Sequence, residues 1–335
     1  MRFAPNLLHA RQTGVTIRNM SIIHRARRVI VVVAVVAASA SAGVSRVYSA
    51  AAQEFVGSTP CGPEVRAFVG GIGADAPCHA VTWRLSMDAP DSVRGSWRLT
   101  AVYGIPPASN PNAMVDGPRV TIDGTWTRDA ATPRGARIIY RLSTGTPQRT
   151  LSFAKVADGL VHVLDSDGRL MLGTAGWSYT LNDATRAERP GNPSLATDMS
   201  YKISPVSTGS SVFAVFEGRT PCAGISRAIG LPENPGCLKV KWRVTLYQSP
   251  QSSAPTTYKL EGTLHRQQAR EGSWRVVRGL ASDPNAVIYQ LDSTATEGAI
   301  LLLRAEDNIL YFLNPQKRAL IGTVDFSYTL NRRTE

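Results

Sequence analysis

Hydrophobic and polar side chains alternate along several stretches of this chain. From Val81 to Met87 and from Leu238 to Leu246, every second residue is apolar and the residues between are polar or charged. A period of two places the apolar side chains on one face of an extended strand. These stretches are therefore predicted to be half-buried antiparallel strands. The same alternation recurs at 97–103, 119–123, 138–142, 258–262 and 287–291.

Late in each half of the chain, the pattern predicts a strand, a turn and a second strand, at 160–172 and 309–321. The first unit has Asp167-Gly168 between its apolar runs, a dipeptide typical of a tight hairpin turn. Each unit is followed by a predicted closing strand, at 177–181 and 326–330. The residues that share one face are Trp177, Tyr179 and Leu181 in the first closing strand and Phe326, Tyr328 and Leu330 in the second.

The predicted strands belong to two copies of one pattern. The motif Phe-x-Gly-x-Thr-Pro-Cys occurs at 55–61 and 216–222, and Ser-Tyr-Thr-Leu-Asn occurs at 178–182 and 327–331. Between these motifs further pairs recur in the same order: Cys78 and Cys237, Trp83 and Trp242, Trp126 and Trp274, Tyr140 and Tyr289, and Gly173 and Gly322. A matched order of this kind indicates a duplicated domain.

The two copies, 55–182 and 216–331, are each long enough to close a core of their own. Each holds seven to eight short predicted strands and no long amphipathic helix, and a short helix is predicted only near Glu64 to Val69. Antiparallel strands cover their unpaired edges most simply by closing on themselves. The chain is predicted to be all-β, with two tandem antiparallel β-barrels whose interiors hold side chains or one small ligand.

The segment between the copies, 183–211, is predicted to be a linker. It contains Pro190, Pro193 and Pro205, several Ser and Thr residues and little apolar periodicity. Such a linker predicts motion of one barrel relative to the other. The apolar residues that follow it, 212–216, could pair with either barrel.

The first 50 residues are predicted to be a signal peptide or an N-terminal anchor. Basic residues, among them Arg27 and Arg28, precede an apolar run from Val29 to Ala38, and small residues suited to cleavage follow. An uncleaved anchor over 29–44 is the alternative, although it is shorter than the roughly 20 residues that a membrane span prefers. The rest of the chain is therefore expected to be exported, either periplasmic or secreted, or tethered to the inner membrane.

Export decides how the cysteines are interpreted. The chain has four cysteines, two in each copy, spaced Cys61-x16-Cys78 and Cys222-x14-Cys237. An even number matched between copies predicts disulfides in an oxidising compartment. Three pairings are possible, and the repeat favours the two local ones, each worth about 3 kcal/mol by loop closure. A four-thiolate zinc site is the alternative, although zinc sites usually bring their thiolates in close pairs.

The formal charge of +12 suggests nucleic-acid binding until the basic residues are located. Seven of the 37 basic residues precede Glu54, the first acidic residue, which leaves 30 basic and 25 acidic residues. The remaining charge is small, is spread over both copies and contains no block of Lys or Arg. The sequence therefore predicts no nucleic-acid partner and contact with a membrane only through the leader.

The repeated motifs resemble the N-terminal domain of the bacterial copper-resistance and surface-sensing lipoprotein NlpE. The resemblance rests on the Pro-Cys opening, the Gly-x-Trp strand, the late hairpin and the closing Ser-Tyr-Thr-Leu, and it covers most of both copies. It implies lipocalin-like barrels in the bacterial envelope, associated with copper tolerance, adhesion sensing and envelope stress signalling. Two features differ from the family: Cys61 and Cys222 lack the second cysteine of a Cys-x-x-Cys, and no lipobox cysteine ends the leader.

Few residues in the sequence indicate metal binding or catalysis. His79, His162 and His265 have no histidine at the matching place in the other copy, and the methionines are scattered, so neither a metal site nor a cofactor is predicted. No Gly-x-Ser-x-Gly elbow is present. The leading alternative function is a secreted hydrolase with a site built from unrepeated residues such as His162 and Asp129.

The expected function is therefore non-enzymatic binding or sensing in the bacterial envelope, with a small apolar ligand or an envelope protein as the partner. A binding site is expected at the barrel mouth near the cysteine loop. The candidate ligand-binding residues recur at strand positions in both copies: Trp83, Trp126, Trp242 and Trp274. A purely structural module with filled barrels is a third possibility.

Overall fold

The structure is a computed structural model, and it describes most of the chain that follows the leader. The described ranges are 52–73, 75–105, 117–129, 137–145, 147–191, 211–265 and 267–333. The predicted signal peptide at 1–50 and the greater part of the predicted linker lie outside these ranges. The described residues form one compact unit.

Eight antiparallel strands close the first barrel. The strands are β1 Gln53–Pro60, β2 Ala80–Met87, β3 Arg94–Gly104, β4 Arg119–Asp129, β5 Ile139–Thr144, β6 Thr150–Ala157, β7 Leu160–Val163 and β8 Thr180–Asp183. Each strand pairs with the next, and β8 returns to pair with β1. The predicted alternation is realised in β2, where Val81, Trp83, Leu85 and Met87 are buried.

The second barrel repeats this arrangement. Its strands are β9 Val212–Thr220, β10 Val240–Gln248, β11 Pro255–Gly262, β12 Arg270–Arg278, β13 Val287–Leu291, β14 Ile300–Glu306, β15 Ile309–Leu313 and β16 Thr329–Arg332. β9 pairs with β10 and β16, so the residues after the linker belong to the second barrel. The predicted all-β fold with two tandem antiparallel barrels is confirmed.

A short helix follows the first strand of each barrel. α1 spans Pro63–Val69, as predicted, and α2 spans Ala223–Ile229, which the sequence pattern did not reveal. Each helix ends at a glycine with positive φ, Gly70 at 65° and Gly230 at 76°, a conformation that glycine adopts without strain. The buried apolar residues of both helices belong to the cores of their barrels, so the helices help to fill the interiors.

The ends of the barrels differ from the predicted hairpins. Residues 169–172 add only one isolated bridge, between Leu164 and Leu170, and β8 begins at Thr180 rather than at 177. The reason lies at Thr174, whose hydroxyl accepts hydrogen bonds from the N–H groups of Gly176 and Trp177, both at 3.1 Å. Side-chain bonds of this kind satisfy the backbone without a strand partner. Thr323 does the same ahead of β16, where it bonds two main-chain N–H groups.

The two barrels share a buried interface. The hydroxyl of Ser178 lies 2.6 Å from that of Ser327, and Thr180 Oγ1 lies 3.0 Å from Thr329 Oγ1. These four residues are at least nine-tenths buried. Around them is an apolar cluster from both barrels: Ala154, Leu160, Leu164, Leu170, Ala286, Ile288, Leu303, Ile309, Tyr311, Leu313 and Ile321.

Two asparagines make reciprocal contacts across this interface, with the roles of the two copies exchanged. Asn182 Oδ1 accepts the N–H of Gly322 at 2.8 Å, and its amide donates to the carbonyl of the following residue. Asn331 makes the same pair of bonds to Gly173 and the residue after it. Reciprocal contacts of this kind are typical of the interface of a twofold dimer. These contacts oppose the relative motion that the linker predicts, because the polar faces of the closing motifs bind the two barrels together.

Candidate functional site

The four candidate tryptophans lie in the barrel cores. Trp83, Trp126, Trp242 and Trp274 are each at most 5% exposed. The indole N–H of Trp83 donates to Thr59 Oγ1 at 2.8 Å, and Trp242 makes the same bond to Thr220 in the second copy.

The other two tryptophans pack edge-on against repeated tyrosines. The ring centroids are 5.6 Å apart for Trp126 and Tyr140 and 5.2 Å apart for Trp274 and Tyr289. None of the four tryptophans lines either of the two surface cavities described below. The structure thus uses these side chains to fill the barrels.

A surface cavity of about 330 Å³ lies at the second cysteine loop. Two disulfides are present, Cys61–Cys78 and Cys222–Cys237, as the spacing predicted, and the second of them forms part of this cavity wall. The opposite wall is the start of the segment between the barrels. The lining residues are Glu188, Arg189, Pro190, Gly191, Pro221, Cys222, Ala223, Glu233, Asn234, Pro235, Cys237, Leu238 and Thr323. Pockets that bind small ligands commonly begin near this volume.

The segment that follows β8 is held against the second barrel by Glu188. Its main-chain N–H donates to the carbonyl of Gly322 at 2.8 Å. Its carboxylate accepts a hydrogen bond from the hydroxyl of Tyr328 at 2.6 Å and a weaker one from the N–H of Gly224 at 3.3 Å. The first residues of the predicted linker are therefore packed in place rather than free.

Tyr328 connects this carboxylate to the start of α2. Its hydroxyl accepts the N–H of Gly224 at 2.8 Å while it donates to Glu188. Burial, reinforced by the charge of Glu188, raises the pKa of Tyr328 far above its ordinary value. The hydroxyl therefore stays protonated and acts as a donor at any physiological pH.

One arginine forms ion pairs with both acidic residues of the cavity. Arg227 of α2 forms ion pairs with Glu188 and with Glu233, the second at 3.0 Å. Burial lowers the pKa of Arg227, but the hydrogen bond to Glu233 and the charges of Glu188 and Glu233 outweigh it and raise the pKa above its ordinary value. Both carboxylates, Glu188 and Glu233, are thus engaged within the protein.

The first barrel has the matching tyrosine but a different surrounding. Tyr179 lies against Gly62, just before α1, and burial together with the nearby Glu64 raises its pKa to about 12. No counterpart of the Glu188 segment is described at this end of the first barrel. The cavity is consequently a feature of the second copy.

A second cavity, of about 260 Å³, lies on the wall of the first barrel. Its acidic residue Asp88 accepts a hydrogen bond from the hydroxyl of Ser96 at 2.6 Å. This bond and a second one from the N–H of Ser96 outweigh the effect of burial and lower the pKa of Asp88. The carboxylate is therefore occupied within the protein. This cavity is lined by Ser86, Asp88, Ser96, Trp97, Arg98, Asp123 and Gly124.

The residues proposed for hydrolysis do not form a site. His162 is fully buried at the barrel interface, where it bonds to Thr180, Tyr311 and the carbonyl of Met171. Asp129 ends β4 and pairs with Arg141 at the surface. No contact joins the two. His79 is exposed, and within the described ranges no three His, Cys, Asp or Glu residues are grouped as metal ligands would be.

An unrepeated polar cluster is present inside the second barrel, and of its members the sequence analysis singled out only His265. Arg270 donates to Tyr258 Oη at 2.8 Å, to Glu297 at 2.8 Å and to two main-chain carbonyls. His265 Nε2 lies 3.7 Å from the carboxylate of Glu297, and burial lowers the pKa of its imidazole. The arginine is 5% exposed, so the cluster is enclosed and ties the loop at 292–298 to β11 and β12.

No family model, curated protein or solved structure matches this chain. Among the helices of the described residues, none is long and apolar enough to cross a membrane. The two disulfides fit an oxidising environment outside the cytoplasm.

Proposed function

We propose that the protein is a non-enzymatic binding or sensing protein of the bacterial cell envelope, exported by its first 50 residues to the periplasm or beyond. The cavity of about 330 Å³ at the second cysteine loop is the observation that carries this proposal. Its lining comes from the cysteine loop, the start of α2 and the segment after β8, and the filled cores support a ligand site outside the barrel interiors.

The lining suggests the chemistry of the ligand. Three prolines, Ala223, Leu238 and the disulfide supply apolar surface, while Glu188 and Glu233 are each already ion-paired with Arg227. A small, largely apolar molecule would therefore bind here without leaving a buried charge unpaired. A ligand in this cavity would contact both the segment from the first barrel and the cysteine loop of the second, an arrangement suited to sensing.

The family resemblance adds the envelope context but not the metal. The four sulfurs are paired with one another, so the thiolates that would bind copper are not available in the oxidised protein. We therefore propose an NlpE-like sensing role through the cavity rather than through copper.

Native mass spectrometry of the exported protein, after incubation with an envelope extract, tests the proposal. The wild-type protein is expected to retain a small molecule, and Pro235→Trp, which places a large side chain in the cavity wall, is expected to lose it. The matched control is Pro77→Trp, at an exposed proline of the first cysteine loop. Equal retention by both variants, or no retained mass in the wild type, would contradict the proposed site.

The hydrolase alternative makes a different prediction. Its residues would be the unrepeated cluster around Glu297 and His265 in the second barrel. Hydrolysis of a chromogenic ester or glycoside by the purified protein, abolished in His265→Gln and unaffected by Pro235→Trp, would favour the alternative.

A further inference from the structure

Three cations lie side by side on the outer wall of the second barrel. The strand register pairs Arg219 directly with Lys241, and Lys239 comes two residues before Lys241 in the chain. The alternate residues Thr220 and Val240 are fully buried inside. Because side chains alternate across a strand, the cations share the outer face.

Two like charges directly opposite one another destabilise a sheet. At the same place in the first barrel, Ser58 faces Thr82, and their hydroxyls are hydrogen-bonded at 3.0 Å. The first copy thus shows that this fold needs no charge at these positions. The second copy has an unfavourable pair where the first has a favourable one.

The neighbouring pair on the same strands shows how a charge is normally balanced. Arg243 faces Glu217, and the guanidinium lies 2.7 Å from the carboxylate. In contrast, within the described ranges no ion pair joins a carboxylate to any of the three cations. Asp325 lies near enough to affect Lys239 but forms no ion pair with it.

Aromatic rings from equivalent loops of the two barrels flank the cluster. The guanidinium carbon of Arg219 lies 5.7 Å from the ring centroid of Trp177, and Lys239 Nζ lies 5.7 Å from that of Phe326. A cation–π contact positions a cation without using its N–H donors. Arg219 and Lys239 are half-buried rather than enclosed, so part of each side chain faces solvent.

The cations are held at some electrostatic cost. Burial lowers the pKa of Arg219, and burial, followed by the charges of Arg219 and Lys241, lowers the pKa of Lys239 to about 8 despite the opposing charge of Asp325. An anion bound between the cations would relieve their repulsion and would engage their free donors.

We propose that Arg219, Lys239 and Lys241 form a binding site for a small oxyanion, a phosphate, sulfate or carboxylate group. The guanidinium offers a planar pair of donors and the ammonium groups add charge, the combination that favours such oxyanions. The site is separate from the cavity at the cysteine loop, although Lys239 directly follows the cavity residue Leu238. It therefore stands whether or not that cavity binds a ligand.

Calorimetric titration with inorganic phosphate, sulfate and acetate tests the site and distinguishes tetrahedral anions from carboxylates. The test variant combines Arg219→Ser with Lys241→Thr, which restores the residues of the first copy. Its affinity for the preferred anion is expected to fall about 100-fold, roughly tenfold for each charge-assisted contact removed. The matched control, Arg94→Ser with Arg119→Thr, removes two exposed cations from the first barrel and is expected to bind as the wild type does.

Thermal unfolding at low ionic strength supplies a second readout. Without an added anion, the test variant is expected to be as stable as the wild type or more stable, because the repulsion is removed. Equal anion affinity in the wild type and the test variant, or no binding of any of the three anions at millimolar concentration, would overturn the proposal. A test variant that is clearly less stable than both the wild type and the control would also overturn it, since the cations would then serve the fold.

Discussion

The hydroxyl of Tyr311 lies 2.7 Å from Nδ1 of His162, and the two residues occupy the same position in the two copies. His162 Nε2 lies 2.9 Å from the carbonyl of Met171, so Nε2 carries the ring proton. Nδ1 therefore accepts the bond from Tyr311. The histidine is neutral at physiological pH, because burial lowers its pKa to about 4.

The stability of the protein should consequently depend on His162 below neutral pH. An unfolded histidine binds a proton below a pKa of about 6.5, whereas the folded one resists protonation until about pH 4. The contribution of His162 is therefore complete above pH 6.5 and is lost as the pH falls towards 4, by about 3 kcal/mol in total.

Denaturant unfolding of the wild type and His162→Gln from pH 7 to pH 4 measures this effect. Burial raises the pKa of Asp325 to about 6, so protonation of Asp325 increases stability as the pH falls over part of this range. The quantity to compare is therefore the difference in unfolding free energy between the wild type and His162→Gln at each pH. The variant should lose less stability on acidification. His79→Gln, at an exposed histidine, should behave as the wild type, and parallel curves for His162→Gln would refute the prediction.

The paired threonines of the interface should be energetically coupled. Thr180→Val leaves the hydroxyl of Thr329 without one buried partner, and we expect a loss of about 1 to 3 kcal/mol. The double variant Thr180→Val/Thr329→Val should lose less than the sum of the two single variants. Thr100→Val, at a half-buried position of β3, is the control and should change stability by less than about 0.5 kcal/mol. Additive losses would show that the two hydroxyls act independently.

Tyr328 should matter more for stability than its counterpart Tyr179. Tyr328→Phe removes the donor to Glu188 and the acceptor of the N–H of Gly224, both in a buried setting. We expect the free energy of unfolding of the variant to be about 2 kcal/mol lower, since the half-buried carboxylate of Glu188 and the buried N–H of Gly224 each lose a partner. Within the part of the chain that the structure describes, Tyr179 bonds no carboxylate, so Tyr179→Phe should lose about half as much free energy of unfolding. Chemical denaturation of both variants decides whether the order is as stated.

Each disulfide should stabilise its own barrel. Replacing Cys61 and Cys78, or Cys222 and Cys237, with alanine should cost about 3 kcal/mol, because each bond closes a short loop. Only the second replacement should also weaken ligand retention, since only the second pair lines the cavity. Thermal unfolding and native mass spectrometry of both variants measure the two effects. A cost confined to one pair would indicate that the loops are not equivalent.

The sequence predicted the barrels because the core-facing residues follow local patterns along each strand. Alternation marked β2 and β10, and the matched spacing marked both disulfides. The interface was missed because the outward residues of the closing motifs are Ser, Thr and Asn, which pattern alone assigns to solvent. Their burial depends on contact with the partner barrel. The alternation of residues along a strand carries no information about that contact.

The cavity and the cation cluster were missed for related reasons. Glu188 lies in a stretch without periodicity, and only its hydrogen bond to Tyr328 reveals its place. Lys239 and Lys241 fitted the polar side of an alternating strand. Their opposition to Arg219 emerges only from the register of β9 and β10, which depends on how the barrel closes.

The reciprocal contacts of Asn182 and Asn331 would serve equally well between two identical chains. Covalent linkage of the halves removes the requirement that they stay identical. One half can specialise, with a charged wall and a hollow beside its sulfur bridge, while the other preserves the scaffold. A homodimer cannot acquire such asymmetry, because every substitution is present in both of its subunits.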